Sequence, residues 1–380
     1  MTNAGTQAQT RSVPFFSCAR SFERQWPRLQ PLLQEVIERE RYCQDIVVER
    51  FESAMREYTS ARFAIAVGNG TDALVLLLRA AGVGPGDEVI VPCFTFVASA
   101  SSIALVGATP VFVDIDPRTY TVHAEQIAAR MTPRTRAIMP VHLFAQMADM
   151  TPLQELARTT GTSILEDSAE AIGMRWDGRH SGLLGAGGVL SFFPTKTLGA
   201  IGDAGMILTH DPGIAERAIA LRDSNFAGEV CGGGSRMDEI QAAVLLTRLA
   251  ELDKDIECRT RLARIYDERL ATLHPRVTTP VIAARPAETN PVYYVYVIES
   301  EDKPGLASYL AANSVGTEDY YPRPLHLQEC FAHLGYKPGD FPNAERACTR
   351  TLALPLYPDM TEDDAHYVCD LFDSFHRRIA

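Results

Sequence analysis

The 380-residue chain predicts an α/β fold, with a mostly parallel central sheet and a smaller C-terminal α/β domain. Three observations carry this. Short apolar runs alternate with helical patterns between residues 63 and 192, the rhythm of a sheet wound through crossover helices on both faces. No glycine or proline interrupts Met237 to His274, which is room for one or two long helices leading out of the sheet. Beyond it, Pro291–Ile298 and Leu306–Ala312 supply a further strand-like and a further helical run. The division predicted is a large domain at 1–250, including the N-terminal segment, and a small domain at 251–380.

Phe63–Val67 reads as the first strand. Gly68-Asn69-Gly70-Thr71 then turns the chain, and an apolar helical pattern follows over 71–81. Strand candidates continue at 88–92, 110–113, 136–141, 163–167 and 188–192, with helical patterns near 96–106, 124–130 and 151–160. Gly205–Leu208 follows Gly202-Asp203 too closely for a crossover helix, so it is predicted to pair antiparallel with 188–192 or a neighbour. In the long uninterrupted stretch, apolar residues recur at Ile240, Val244, Leu249, Leu252, Ile256, Leu262, Ile265 and Leu270, a helical spacing.

Lysine is scarce: of 36 Lys+Arg only Lys196, Lys254, Lys303 and Lys337 are lysines. Lys303 and Lys337 each precede Pro-Gly, a turn signature, and Lys254 lies in a charged helical pattern. Lys196 sits in the apolar, glycine-bounded run Ser191-Phe192-Phe193-Pro194-Thr195-Lys196-Thr197-Leu198-Gly199. Arginine stays protonated, whereas a desolvated lysine can become a free amine and form a Schiff base. A solvated loop lysine is the bland alternative. Upstream, the apolar run Ser163-Ile164-Leu165 ends in Glu166-Asp167, so a buried strand delivers a carboxylate at its carboxyl end, where open α/β sheets bind ligands. Asp167 reads also as a ribose or Mg²⁺ ligand, or as a helix cap. The turn at Gly68–Thr71 aims backbone N–H groups at an anion, unless Thr71 or Asp72 is an ordinary N-cap. Lysine, carboxylate and phosphate cradle together suggest pyridoxal 5′-phosphate, in which the carboxylate keeps the pyridine nitrogen protonated.

These stretches, with Gly84-Pro85-Gly86-Asp87-Glu88-Val89-Ile90, Thr95-Phe96, Pro110–Asp114, Pro140–Leu143, Ser235–Ala243 and Tyr321–Gln328, resemble the DegT/DnrJ/EryC1/StrS aminotransferases. These are sugar aminotransferases of pyridoxal-phosphate fold type I, which is aspartate aminotransferase-like. The resemblance runs from about Val13 to Pro358. It implies that Lys196 holds the cofactor and shuttles the proton, and that Asp167 pairs with the pyridine nitrogen. Gly70, Thr71 and Ser191 match phosphate ligands, Phe96 the aromatic against the ring, and Glu170 a position near the ring oxygen that is often Gln or His in relatives. Arg236 matches a segment reaching the neighbouring subunit's site, which implies a homodimer with shared active sites. Gly234-Ser235 replaces the common Asn-Ser there, in the glycine-rich run 231–234. Tyr320, Tyr321 and His326 fall in a segment near the substrate in relatives, and Asp319 stands where relatives carry an aliphatic residue. Lysine rather than histidine at 196 argues against the family's dehydratase branch. His142 reads equally as a core histidine or a pocket residue.

Composition fits this picture. Hydrophobic residues are 46% and charged residues 22% of the chain, which are globular values. A net charge of −12 argues against nucleic-acid binding. Eight cysteines form no CxxC or metal spacing, so buried free thiols in a reducing cytoplasm are expected, with no metal. The polar stretch Met1–Arg11 has no apolar core and so is not a secretory signal, and no transmembrane run is seen. The expectation is a cytoplasmic pyridoxal-phosphate aminotransferase that moves an amino group from glutamate to a nucleotide-linked keto-sugar. A keto-cyclitol aminotransferase is one alternative, and a cofactor-binding sensor without turnover is another.

Overall fold

The computed structural model describes residues 11–223, 233–283 and 289–379. Cys231 and Gly232 of the glycine-rich run therefore lie outside the described residues. Two helices precede the sheet, α1 (Ala19–Arg39) and α2 (Ile46–Thr59). Then follow β1 (Phe63–Val67), α3 (Gly70–Ala80), β2 (Glu88–Pro92), α4 (Ala98–Leu105), β3 (Thr109–Val113), α5 (Ala124–Ala128), β4 (Thr135–Ile138), α6 (Met150–Thr160) and β5 (Ser163–Asp167). A small hairpin, β6 (Arg175–Trp176) and β7 (Arg179–His180), leads to β8 (Gly187–Ser191), β9 (Gly205–Thr209) and α7 (Pro212–Arg222). The remainder comprises α8 (Glu239–Leu249), α9 (Leu252–Leu270), β10 (Val277–Thr278), β11 (Tyr296–Ser300), α10 (Lys303–Ala312), α11 (Pro342–Arg350), β12 (Thr351–Leu354) and α12 (Glu362–Ile379).

Seven strands form the central sheet in the order β1-β9-β8-β5-β4-β2-β3. All pairs are parallel except those of β9, which runs antiparallel to both β1 and β8. The short link before β9 leaves it no other choice, as the sequence predicts. Because β9 reverses twice, β1 points the same way as β8 and β5. Three carboxyl ends, at Val67, Asp167 and Ser191, therefore open onto one edge of the sheet. Helices cover both faces, so β2, β5, β8 and β9 are buried almost throughout, as a doubly covered sheet requires.

A second sheet, β10-β11-β12, is antiparallel. Its core joins Leu262, Tyr266 and Leu270 of α9 to Val368 and Phe372 of α12. Val13 belongs to this core as well: it bridges to Val315, and its N–H donates to the Ser314 carbonyl at 2.9 Å. The stretch at Val13 thus packs on the C-terminal elements, while Leu29 and Val36 of α1 pack in a core with α2 and α8.

Two local expectations are corrected. The run from Pro291 becomes strand only at Tyr296, because its backbone is used elsewhere. Val292 and Tyr294 donate to the Ala145 and Phe144 carbonyls, and Arg259 Nη1 donates to the Tyr294 carbonyl at 2.9 Å. Lys303-Pro304-Gly305 is the first turn of α10 rather than a free turn, with Asp302 accepting from Gly305 N–H. Lys303 is also buried, ion-paired to Asp319 at 3.0 Å and bonded to the Cys348 carbonyl. Lys196 is therefore not the sole sequestered amine, although Lys303 is tied down by Asp319 and the Cys348 carbonyl. Lys254 and Lys337 are exposed.

Candidate active site

Asp167 ends β5 with its side chain buried. Ser99, in the first helical turn of α4, donates its hydroxyl to Asp167 Oδ2 at 2.7 Å, and Ala169 N–H donates to Oδ1 at 3.2 Å. Thr95, four residues before Ser99, meets its hydroxyl at 3.1 Å. Burial pushes the Asp167 carboxyl above its ordinary range, against the Ser99 and Ala169 donors and the Lys196 charge. A buried carboxylate with two neutral donors is short of a cationic partner.

The neighbouring carboxylate faces away. Glu166 accepts from Gly182, Leu184 and Gly185 N–H groups and from His142 Nε2 at 2.9 Å. His142 Nδ1 accepts from Ala148 N–H, so the ring proton resides on Nε2. His142 is fully buried and is a core histidine; it does not line the pocket. His180 is also buried, and burial lowers it to about 4. Glu166 thus straps the 180–185 loop beneath β5 and steadies the strand end that carries Asp167.

Asn69 caps α3, its side chain accepting from Asp72 N–H at 2.8 Å. The Gly70 and Thr71 N–H groups, in the first turn, have no intrahelical acceptor. A Cβ on Gly70 would lie 2.9 Å from Ser191 Cβ, so glycine is what lets the helix start approach the Ser191 hydroxyl. Ser235 closes the other side of this turn, accepting from Gly68 N–H and donating to Asp72 at 2.6 Å. These are contacts within one chain. Arg236, next to it, is exposed, and one chain does not bring its side chain to Lys196.

Lys196 follows β8 in a tight turn, its N–H donating to the Phe193 carbonyl at 2.8 Å. Its Nζ lies 3.3 Å from Glu170 Oε1 and 4.1 Å from the centre of the Tyr294 ring. Glu170 Oε2 accepts from Phe144 N–H at 2.9 Å, and Tyr321 donates its hydroxyl to Oε1 at 3.2 Å. The hydroxyls of Tyr294 and Tyr320 meet at 3.3 Å, and Thr195 meets Tyr294 at 3.2 Å. Burial drives Tyr321 well above the ordinary phenol range and Tyr294 up to about 12, so both are neutral donors at physiological pH. Phe96 is 58% exposed, its ring 6.4 Å from that of Tyr321.

Lys196, Asp167, Glu170, Tyr320 and Tyr321 are thus brought together at the sheet edge that also carries Gly70, Thr71 and Ser191. His326 is not among them. Its ring is completely buried, stacked edge-on against Phe341 at 4.7 Å and bonded to Glu345 at 3.1 Å. No face of it is open to a substrate. Ser99, Phe144 and Tyr294 escape a reading of the sequence. Thr95 and Ser99 are four residues apart where the chain enters α4, but nothing local to Phe144 or Tyr294 marks them.

The residues fit pyridoxal phosphate. Asp167 would gain a cationic N–H partner, the α3 start with Ser191 would receive the phosphate, and Lys196 offers the amine. The cofactor, when bound, supplies the electron sink. Among the described residues no group of His, Cys, Asp and Glu is placed to hold a metal ion.

Comparison with known proteins agrees. A "Pleiotropic regulatory protein" from Geobacillus stearothermophilus is 40% identical, over 97% of this chain and 100% of its own length. A dTDP-3-amino-3,4,6-trideoxy-alpha-D-glucose transaminase from Streptomyces venezuelae is 37% identical, over 98% and 99%. The crystal structure of S. venezuelae DesV in complex with a ketimine intermediate superposes with a TM-score of 0.92 at 38% identity, covering 96% of this chain and 99% of that one. Residues 27–373 match the DegT/DnrJ/EryC1/StrS aminotransferase family. The chain belongs to that family and is a pyridoxal-phosphate-dependent aminotransferase of fold type I.

Proposed function

We propose that the chain transfers an amino group from L-glutamate to the C3 keto carbon of a nucleotide-linked deoxyhexose. The observation that carries this is the meeting of Lys196, Asp167 and Glu170 beside the α3 start. The named 3-amino-sugar transaminase, similar over nearly its whole length, supports the choice of sugar and of C3.

In this reading Lys196 binds the cofactor aldehyde and afterwards moves the proton. Asp167 holds the pyridine N–H, and Gly70, Thr71 and Ser191 hold the phosphate. Phe96 covers one face of the ring, and Tyr320 and Tyr321 border the sugar. The large domain, 1–250, holds the cofactor, and 251–380 closes over the substrate. The working unit is a cytoplasmic homodimer in which Arg236 serves the partner's site.

A second reading is a cofactor-bound regulator without turnover, favoured by the Geobacillus relative being named a regulatory protein. Glutamate separates the two. An aminotransferase converts the absorbance of the loaded protein to that of the pyridoxamine form, and a regulator does not. A panel of dTDP- and UDP-linked 3-keto and 4-keto hexoses, free keto-cyclitols and 2-oxo acids then reads the acceptor. Fastest amine transfer to a keto-cyclitol would replace the sugar reading.

A further inference from the structure

The Lys196 ammonium has two partners that do not touch each other's chemistry. On one side is the Glu170 carboxylate at 3.3 Å, and on the other the face of the Tyr294 ring at 4.1 Å. Both side chains are buried, and both are braced from behind. Glu170 is fixed by Phe144 N–H and by the Tyr321 hydroxyl, which lies against the same oxygen that faces Lys196. Tyr294 is fixed through its hydroxyl by Thr195 and Tyr320, and through its carbonyl by Arg259. A carboxylate and a π face both favour the ammonium over the neutral amine.

We propose that Glu170 and Tyr294 form a berth for the protonated Lys196 side chain, occupied whenever the amine is not covalently engaged. The inference rests on the cofactor assignment above and adds a task for Glu170 that an uncharged glutamine there would not perform. In the pyridoxamine stage the freed Lys196 returns to a defined place, 3.3 Å from a carboxylate, and gives up the ammonium proton before it next acts as a base. Tyr321 is a positioning residue, acting through Glu170. The other titratable groups around Nζ are Asp167, held to Ser99, and Tyr320, held to Tyr294. Asp167 shares with Glu170 the sign that favours the ammonium; the phenols are neutral.

Competitive acetylation tests this on the full chain, without cofactor and loaded with pyridoxamine phosphate. Peptide mass spectrometry reads the pH at which each lysine is half reactive. Four lysines keep the map simple, and exposed Lys254 and Lys337 are internal references. Glu170→Gln should lower the half-reactive pH of Lys196 by about one unit, roughly tenfold in reactivity at fixed pH. Tyr294→Leu should lower it by less, and Tyr294→Phe should leave it unchanged. Tyr321→Phe keeps the carboxylate and should not lower it. An unchanged Lys196 in Glu170→Gln overturns the berth. So does an equal fall in Tyr321→Phe, which would mean that general loosening, and not charge, sets the amine. Because the readout needs no turnover, it stands apart from the acceptor panel: a protein inactive on every acceptor can still show the shift.

Discussion

The Ser99 hydroxyl donates to Asp167 Oδ2 at 2.7 Å from a helix that the sheet order separates from β5 by two strands, β2 and β4. It is shorter than the Ala169 N–H bond to the same carboxyl, which burial pushes above its ordinary range, and it defines what that carboxylate needs.

The first expectation concerns pH and the cofactor-free protein. Asp167 has its folded value raised, so its favourable contribution is confined to pH below the unfolded carboxylate value, about 4, and is lost as pH rises through the folded value. Cofactor-free Asp167→Asn should therefore melt above the parent at neutral pH, with the gap closing as pH falls toward 4. Loading with cofactor should reverse the order at neutral pH, since only the parent offers the pyridinium a charge. Melting curves across pH, with and without cofactor, read both effects.

For catalysis, Asp167→Asn should keep the fold and lose about 10²–10³ in rate, the scale of deleting one preorganised electrostatic group. Ser99→Ala removes a buried hydrogen bond to a charged group, about 1.5–3 kcal/mol, and should weaken cofactor binding at least roughly tenfold. Single-turnover rates with glutamate and cofactor titrations decide this. Parent-like turnover in Asp167→Asn would return Asp167 to a structural role.

Borohydride reduction of the loaded protein should leave the pyridoxyl group on the peptide containing Lys196. A label on Lys303, the other buried lysine, would overturn the assignment, because Lys303 is held by Asp319 and the Cys348 carbonyl, away from Asp167 and Glu170.

Arg236 gives a test of assembly. Lys196→Ala and Arg236→Ala homodimers should each be impaired. Mixed dimers should recover activity, because one of their two sites takes Lys196 from one chain and Arg236 from the other. No recovery after verified subunit exchange, or an active monomer in sedimentation, would contradict shared sites.

His326→Ala should cost about 2 kcal/mol of stability, given its buried ring between Phe341 and Glu345. The glutamate half-reaction should remain near the parent rate. A large loss of rate with unchanged melting would place His326 back at the substrate.

The parts of the site legible from sequence are those written in consecutive residues. Strands β1 and β5 have the predicted bounds, and the antiparallel turn of β9 follows from a short link. Lys196 stands out by lysine scarcity, and Asp167 by its place at a strand end. What stays hidden depends on chain segments far apart. Tyr294 reaches Lys196 across about a hundred positions, because the 291–295 backbone spends its hydrogen bonds on Phe144, Ala145 and Arg259 instead of extending β11. Helix α1 contains Pro27 and Pro31, residues that argue against a helix interior, and no local pattern announces it. His326 misleads for the opposite reason: it neighbours the tyrosines in sequence but turns into the core toward α11.

Gly205 bears on how the two ends proposed to hold the phosphate keep their spacing. It pairs with Val67 on one side and Ser191 on the other, and a Cβ there would come within 2.4 Å of the Asn69 carbonyl. One residue that need never touch the ligand therefore gauges the gap between the α3 turn and the serine opposite it. The gap is set by the width of bare backbone, so this strand can neither be thickened nor slipped without retuning the grip on both sides at once. Adaptation of the enzyme to new acceptors must then proceed in the segments that overhang this edge, leaving the central ribbon as a fixed calliper.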